Sequence, residues 1–326
     1  MTLGVTLLIT VAVFGGVAIT TGALRRWLLR RALVDTPNER SSHSSPTPRG
    51  GGITVMAAIL IVSLASVSLP TVVLGGALLL ALISWIDDVR TLPVLPRILA
   101  QVVAVGAAIL LTLPPAAVFP FPIPVTAPAV LICLGWVWFV NLYNFMDGID
   151  GITGVETIAI CVGIALVGAL NPAAAWLVFP ALTVAAAMAG FLVWNWHPAK
   201  IFLGDVGSVP IGYLCGFMLL ALAASGEPAA ALLIPAYYLG DATVTLFKRA
   251  MRREKVWQAH KEHFYQRAHQ RGLDHAAVSK RIAAMNALLI ACALCAQAGY
   301  AISALFVGYV SVAIFLAYLN GRWAKP

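Results

Sequence analysis

Two adjacent carboxylates, Asp87 and Asp88, end the apolar run that closes with Ile83-Ser84-Trp85-Ile86. A helix C-terminus disfavours negative charge, and like charges side by side add to the penalty. Something cationic is therefore expected near the pair, whether a metal, Arg90 or the basic loops; a solvated helix end is the other reading. Asn141, Asn144, Asp147 and Asp150 recur every third residue in Asn141-Leu-Tyr-Asn-Phe-Met-Asp-Gly-Ile-Asp-Gly151. On a helix that spacing stacks oxygen-bearing side chains along one face. Such density of hard oxygen donors suits Mg²⁺ or a sugar nucleotide; it also reads as a polar Asx/Gly turn. The spacing is wrong for an EF-hand, whose ligands fall on every second residue. Asp205, in Phe202-Leu-Gly-Asp-Val-Gly-Ser208, opens a further helix. It reads as an N-cap or as part of a phosphate site, and the two uses can coexist.

Two longer segments add donors. The 247–281 stretch holds His260, His263, His269 and His275 among Lys and Arg. His260-x-x-His263 lacks a third ligand at fixed spacing and is a weak zinc pattern. A diphosphate cradle suits the mixture better, because cationic and N–H donors pair with phosphoryl oxygens; a basic loop facing anionic lipid headgroups is the other reading. Asp35 to Gly52 has the composition of a flexible linker. Asp241 sits five residues from the inner end of its helix, with Thr245 and Arg249 on the same face, and also reads as a helix-end ion pair.

The elements that must position these groups are transmembrane helices. The chain has 326 residues, 61% hydrophobic and 10% charged, with a mean hydropathy of +0.91. A soluble domain is nearer 45–50% apolar and about 25% charged. Apolar runs long enough to span a bilayer recur throughout, and the alternation of an outer-membrane barrel does not appear. Helices are therefore predicted at roughly 2–24, 53–69, 71–86, 97–113, 127–143, 152–170, 173–193, 207–225, 229–246, 282–299 and 304–320. That makes the fold class all-α, a polytopic membrane protein with about 10–11 spans. It is read as a single membrane-embedded domain. The first run has no basic residue before it and ends in Arg25, Arg26, Arg30 and Arg31, which predicts a retained helix with its N-terminus outside.

In this layout all 21 Lys and Arg fall on one side, the positive-inside pattern of a cytoplasmic face. The net charge of +8 is then a topology signal, and nucleic acid is not a partner. Of the 13 Asp and Glu, Glu227 alone is predicted on the outer side. Acidic residues contribute little to orientation, so twelve on the inner side, drawn from five loops, point to one composite cytoplasmic site. The five cysteines lie scattered in apolar runs and imply no disulfide framework. A transporter or lipid flippase is the rival class; it would place ionisable groups near mid-membrane. Here the deepest, Glu156 and Asp241, are predicted near inner helix ends.

Read together, these segments resemble the polyprenyl-phosphate N-acetylhexosamine-1-phosphate transferases. The matching parts are the Asp35–Gly52 loop, Asp87-Asp88 with Arg97 and Gln101, Asn141–Gly151, Gly204-Asp205-x-Gly-Ser208 and the histidine-bearing loop. Phe145-Met-Asp-Gly-Ile-Asp-Gly151 and Trp257-Gln-Ala-His-Lys-Glu-His-Phe-Tyr-Gln-Arg267 resemble the branch that starts O-antigen and related surface polysaccharides. The peptidoglycan branch usually shows adjacent histidines, whereas here His260 and His263 are separated. The resemblance implies a bacterial inner-membrane enzyme that transfers N-acetylhexosamine-1-phosphate from a UDP-N-acetylhexosamine to polyprenyl (undecaprenyl) phosphate at the membrane lipid surface, releasing UMP. It implies Mg²⁺, with Mn²⁺ as the alternative, on Asp205 and Asn144, and catalysis at Asp87 and Asp88, cast as base or nucleophile. Its implied substrate-binding residues are Asp35, Asn38, Arg40, Asn141, Asp147, Asp150, Asp241, His260, His263 and Arg267. A homodimer is compatible with it.

Overall fold

The computed structural model describes residues 2–31, 34–35, 46–90, 92–118, 126–256, 258 and 260–321. Helices dominate: α1 (Leu3–Arg30), α2 (Gly52–Ser66), α3 (Thr71–Arg90), α4 (Val94–Thr112), α5 (Pro115–Val118), α6 (Thr126–Phe145) and α7 (Ile152–Leu170). They continue as α8 (Val178–Asn195), α9 (Asp205–Ala224), α10 (Pro228–Leu233), α11 (Ala236–Met251), α12 (Phe264–Gln270), α13 (His275–Cys295) and α14 (Ala301–Leu319). A two-residue ladder pairs β1 (Val34–Asp35) with β2 (Thr47–Pro48).

Among the described residues, eight segments are long and apolar enough to cross a membrane. The last of these, 275–319, is two antiparallel helices. It reverses at Gly299, whose φ of 101° is open to glycine, and Arg281 near one end donates to the Tyr318 hydroxyl near the other. The protein is thus an all-α polytopic membrane protein. α9 lies at its centre and is buried along nearly its whole length, against α3, α6 and α2. The outward faces of α1, α4 and α14 expose Leu8, Leu110 and Phe306, as lipid-facing helices do.

Three boundaries depart from the sequence reading. The predicted 229–246 helix is broken at Pro235, which starts α11 afresh. α13 starts at His275 rather than near 282, because the Asp274 carboxylate accepts the Ala277 N–H and caps it. α12 is a further short helix in what the sequence presents as a basic loop.

Two glycines set the distance between α2 and α9. A Cβ at Gly52 would fall on the Gly207 backbone, and one at Gly207 would lie 2.8 Å from the Gly52 Cα. The Gly52 N–H donates to the Leu203 carbonyl (2.8 Å), and Gly50 and Gly51 both donate to Phe202. This contact brings the segment carrying Arg49 against the start of α9.

Candidate active site

The ends of α3 and α6 and the start of α9 meet at one end of the bundle. Gly204, with φ of 79°, turns the chain into α9. The Asp88 carboxylate accepts the N–H groups of Asp205 (3.4 Å) and Val206 (3.2 Å). The cap of α9 is therefore supplied across space by α3, and Asp205 itself is the first helical residue, not the cap. The positive helix end and the carboxylates favour one another.

Two arginines bind the carboxylates together. Arg49 Nη2 lies 2.5 Å from Asp205 Oδ1 and 3.1 Å from Asp88 Oδ1. Arg97 reaches Asp87 at 2.8 Å and Asp205 at 3.5 Å. Asp87 also accepts the Leu92 N–H at 2.6 Å. The adjacent aspartates thus diverge, Asp88 toward α9 and Asp87 toward α4. On the facing helix, Asn144 donates to Asp205 Oδ2 (3.4 Å) and accepts from Ser208 Oγ (2.5 Å).

The single stacked face expected for Asn141, Asn144, Asp147 and Asp150 does not form. α6 stops at Phe145, and the chain turns through Gly148 and Gly151, the latter with φ of 78°. Asn141 pairs with Gln101 on α4 (2.6 Å), and only Asn144 meets Asp205. Asp147 accepts the Thr153 hydroxyl at 2.6 Å; burial away from water pushes its carboxyl up to about 6 against that hydrogen bond. Asp150 turns away to a separate cluster. Its Oδ2 lies 2.6 Å from His197 Nδ1 and 3.2 Å from His275 Nδ1, and accepts the Ala199 N–H at 3.1 Å. Burial alone would raise its pKa, yet the hydrogen bonds from His275 and His197 hold it at about 2.

The histidine-bearing segment is organised by Asp241, which is fully buried. Its oxygens accept the N–H groups of Phe264 (2.9 Å) and Tyr265 (3.1 Å) and the Tyr237 hydroxyl (3.2 Å), and meet His263 Nδ1 at 3.3 Å. It therefore fastens the start of α12. The expected Asp241–Arg249 pair does not form, and Arg249 turns to Glu254 (2.9 Å) and Glu262 (2.5 Å). Arg267 reaches Glu262 at 3.3 Å. His263 is buried, while the half-buried His260 stacks on it with ring centroids 4.7 Å apart. Burial and the neighbouring charges of His263 and Arg249 bring His260 down to about 4.

Asp35 pairs through its backbone with Thr47, and its side chain, like Asn38 and Arg40, lies outside the described residues. The sequence reading did not single out Arg49 or His197. Arg49 was one topology signal among 21 basic residues. His197 stands alone in its segment, and its only hint was its position just ahead of the Phe202–Ser208 motif.

A family model described as glycosyl transferase family 4 matches residues 70–223, the stretch that carries Asp87, Asp88, Asn144 and Asp205. The probable undecaprenyl-phosphate N-acetylglucosaminyl 1-phosphate transferase of Bacillus subtilis is 27% identical over 276 residues, covering 79% of this chain and 76% of that protein. The decaprenyl-phosphate N-acetylglucosaminephosphotransferase of Mycolicibacterium smegmatis is 33% identical over 225 residues, covering 60% of this chain and 55% of its own. A phospho-N-acetylmuramoyl-pentapeptide-transferase of Bacillus pumilus matches at 38% over 89 residues, 24% of this chain and 27% of its own. Fold, site and relatives together define a membrane-embedded phosphotransferase. The family-4 match over residues 70–223 and the relatives' names support a place among the polyprenyl-phosphate N-acetylhexosamine-1-phosphate transferases.

Proposed function

We propose that the protein transfers an N-acetylhexosamine-1-phosphate from a UDP-sugar to a polyprenyl phosphate, releasing UMP and starting a lipid-linked glycan of the O-antigen or a related envelope polysaccharide. The observation that carries this reading is the sharing of Arg49 by Asp88 and Asp205 at the start of α9. Guanidinium groups beside a helix N-terminus suit a diphosphate, and the carboxylates beside them suit a hard divalent ion.

Asp205, Asn144 and Asp88 would hold Mg²⁺ or Mn²⁺. All three offer oxygen, and the three carboxylates of Asp87, Asp88 and Asp205 outnumber the two guanidiniums of Arg49 and Arg97, which leaves negative charge for a divalent ion to balance. When bound, the ion neutralises diphosphate charge and eases departure of UMP. The acceptor phosphate oxygen attacks the β-phosphorus, and the bond from that phosphorus to the bridging oxygen breaks. A phosphate monoester with a second pKa of about 6 is mostly dianionic at neutral pH and requires little proton abstraction. Asp88 is engaged by Arg49 and two N–H groups, and Asp87 by Arg97 and one. Such oxygens position and balance charge, which favours direct displacement over a phospho-aspartate. The basic residues support a reading in which this end of the bundle faces the cytoplasm of a bacterial plasma membrane, where a soluble nucleotide sugar meets a lipid acceptor.

The test is incubation of purified protein with undecaprenyl phosphate, Mg²⁺ and a panel of UDP-N-acetylhexosamines, scoring UMP and lipid-linked sugar. One or more sugars should support both. Folded protein that releases no UMP with any of them overturns the reading.

A further inference from the structure

The Asp150 cluster takes no part in the transfer described above. Asp150 comes from the 146–151 turn, His197 from the segment after α8, and His275 from the first turn of α13. Their ligand-type atoms all lie within 4.8 Å of one another. Both imidazoles bring Nδ1 to the same carboxylate oxygen, at 2.6 and 3.2 Å.

Hydrogen bonding alone leaves this arrangement inconsistent at His275. Its Nδ1 must carry a proton to donate to Asp150 Oδ2, and must be bare to accept the Asp150 N–H 3.4 Å away. Its Nε2 is buried with no hydrogen-bond partner. A cation in place of the proton needs only lone pairs from the converging atoms. Four-coordinate ligands about 2 Å from an ion stand about 3.3 Å apart, so small side-chain movements would admit one. Two imidazole nitrogens and one carboxylate oxygen are the donors that borderline transition ions favour, whereas Mg²⁺ prefers oxygen alone.

We propose that Asp150, His197 and His275 form a second metal site, for a divalent transition ion of the Zn²⁺ kind, distinct from the Mg²⁺ site at Asp205. Three protein ligands leave a fourth position for water or an anion. His197, with 35% of its side chain exposed, gives that position a route to solvent. The ion joins three elements. One of them bears Asp147, and another runs from His197 through Phe202 into Asp205, so occupancy would steady the floor of the active site.

The experiment uses full-length protein in detergent, purified without a polyhistidine tag and freed of metal. Cobalt(II) titration should give a visible absorption band of four-coordinate strength, saturating at one equivalent and displaced by zinc(II). His197→Gln, at the partly exposed ligand, should weaken cobalt binding by at least about tenfold and abolish the rise in melting temperature that zinc gives the parent. Asp205→Asn should leave both readouts unchanged, which separates this site from the transfer site. Folded protein without the band, or a band that His197→Gln leaves intact, overturns the proposal.

Discussion

Two carboxylate clusters sit at the same end of the bundle, and their partners make them different devices. Asp88 and Asp205 are held by arginines, one of which is 42% exposed. Asp150 is held by histidines, one of them buried. Arginine remains charged at every working pH and presents several donors, so a phosphoryl group can replace a carboxylate on it without a proton changing hands. A histidine near neutrality exchanges its proton for other partners. On the proposed function the first cluster suits anions that come and go, and the second suits holding loops together.

The largest effect should follow Asp205→Asn. It removes a charged ligand and the group both arginines share, and transfer should fall by about 10³-fold while the protein still inserts and purifies. Near-normal activity at ordinary Mg²⁺ would erase the distinction between the clusters. Next, Arg49→Lys should lower kcat by about 10²-fold, since a shorter, strongly hydrated ammonium does not set its donor between the two carboxylates as the guanidinium Nη2 does. A change in KM alone would make Arg49 an entry residue instead. Rapid-quench measurement then separates displacement from covalent catalysis: UMP should appear only when polyprenyl phosphate is present, and a stoichiometric burst without acceptor would make Asp87 or Asp88 a nucleophile.

Smaller effects concern stability. Asp241→Asn leaves buried N–H groups with a weaker acceptor and should destabilise the α11–α12 junction by about 2 kcal/mol, read as a lower melting temperature. Asp147 gives a pH signature. Its folded pKa of about 6 lies above the usual carboxyl value, so the folded state binds the proton more tightly, and stability declines as pH rises from roughly 4 to 6. Asp147→Asn should therefore stabilise the fold at pH 8 by on the order of 1 kcal/mol, read as a higher melting temperature, and the gain should shrink toward pH 5. Asp150 runs the other way. With a folded pKa of about 2, its contribution is complete above roughly pH 4 and fades only as pH falls toward 2. A gain for Asp147→Asn that does not vary with pH would remove the titration argument.

Much of this was legible in the sequence because membrane helices are written in long apolar runs, and because charge at their ends needs a reason. Asp88 and Asp205 stood out as carboxylates where topology asked for none. Their meeting was less legible, since it depends on the Gly52–Gly207 contact, which joins segments far apart in the chain. The period of three from Asn141 to Asp150 misled for a local reason: it presumes a helix that ends at Phe145. Asp241 read as a helix-end partner of Arg249, but a buried acceptor is claimed by the nearest N–H groups, which α12 supplies. His197 gave no pattern, because its partners, Asp150 and His275, are distant in sequence.

The glycine contact between α2 and α9 has a mechanical consequence. With the Gly52 backbone at 2.8 Å and the Leu203 side chain at 2.6 Å from a Cβ on Gly207, the contact has no slack, so the two segments move together and the gap between Arg49 and Asp205 behaves as a fixed gauge. If His260 and Arg267 bind substrate, movement on binding and adaptation to a new sugar would be sought in their segment, on α12 and its approach. A methyl added by Gly207→Ala would cripple the enzyme without touching any polar atom, because it would wedge the gauge open.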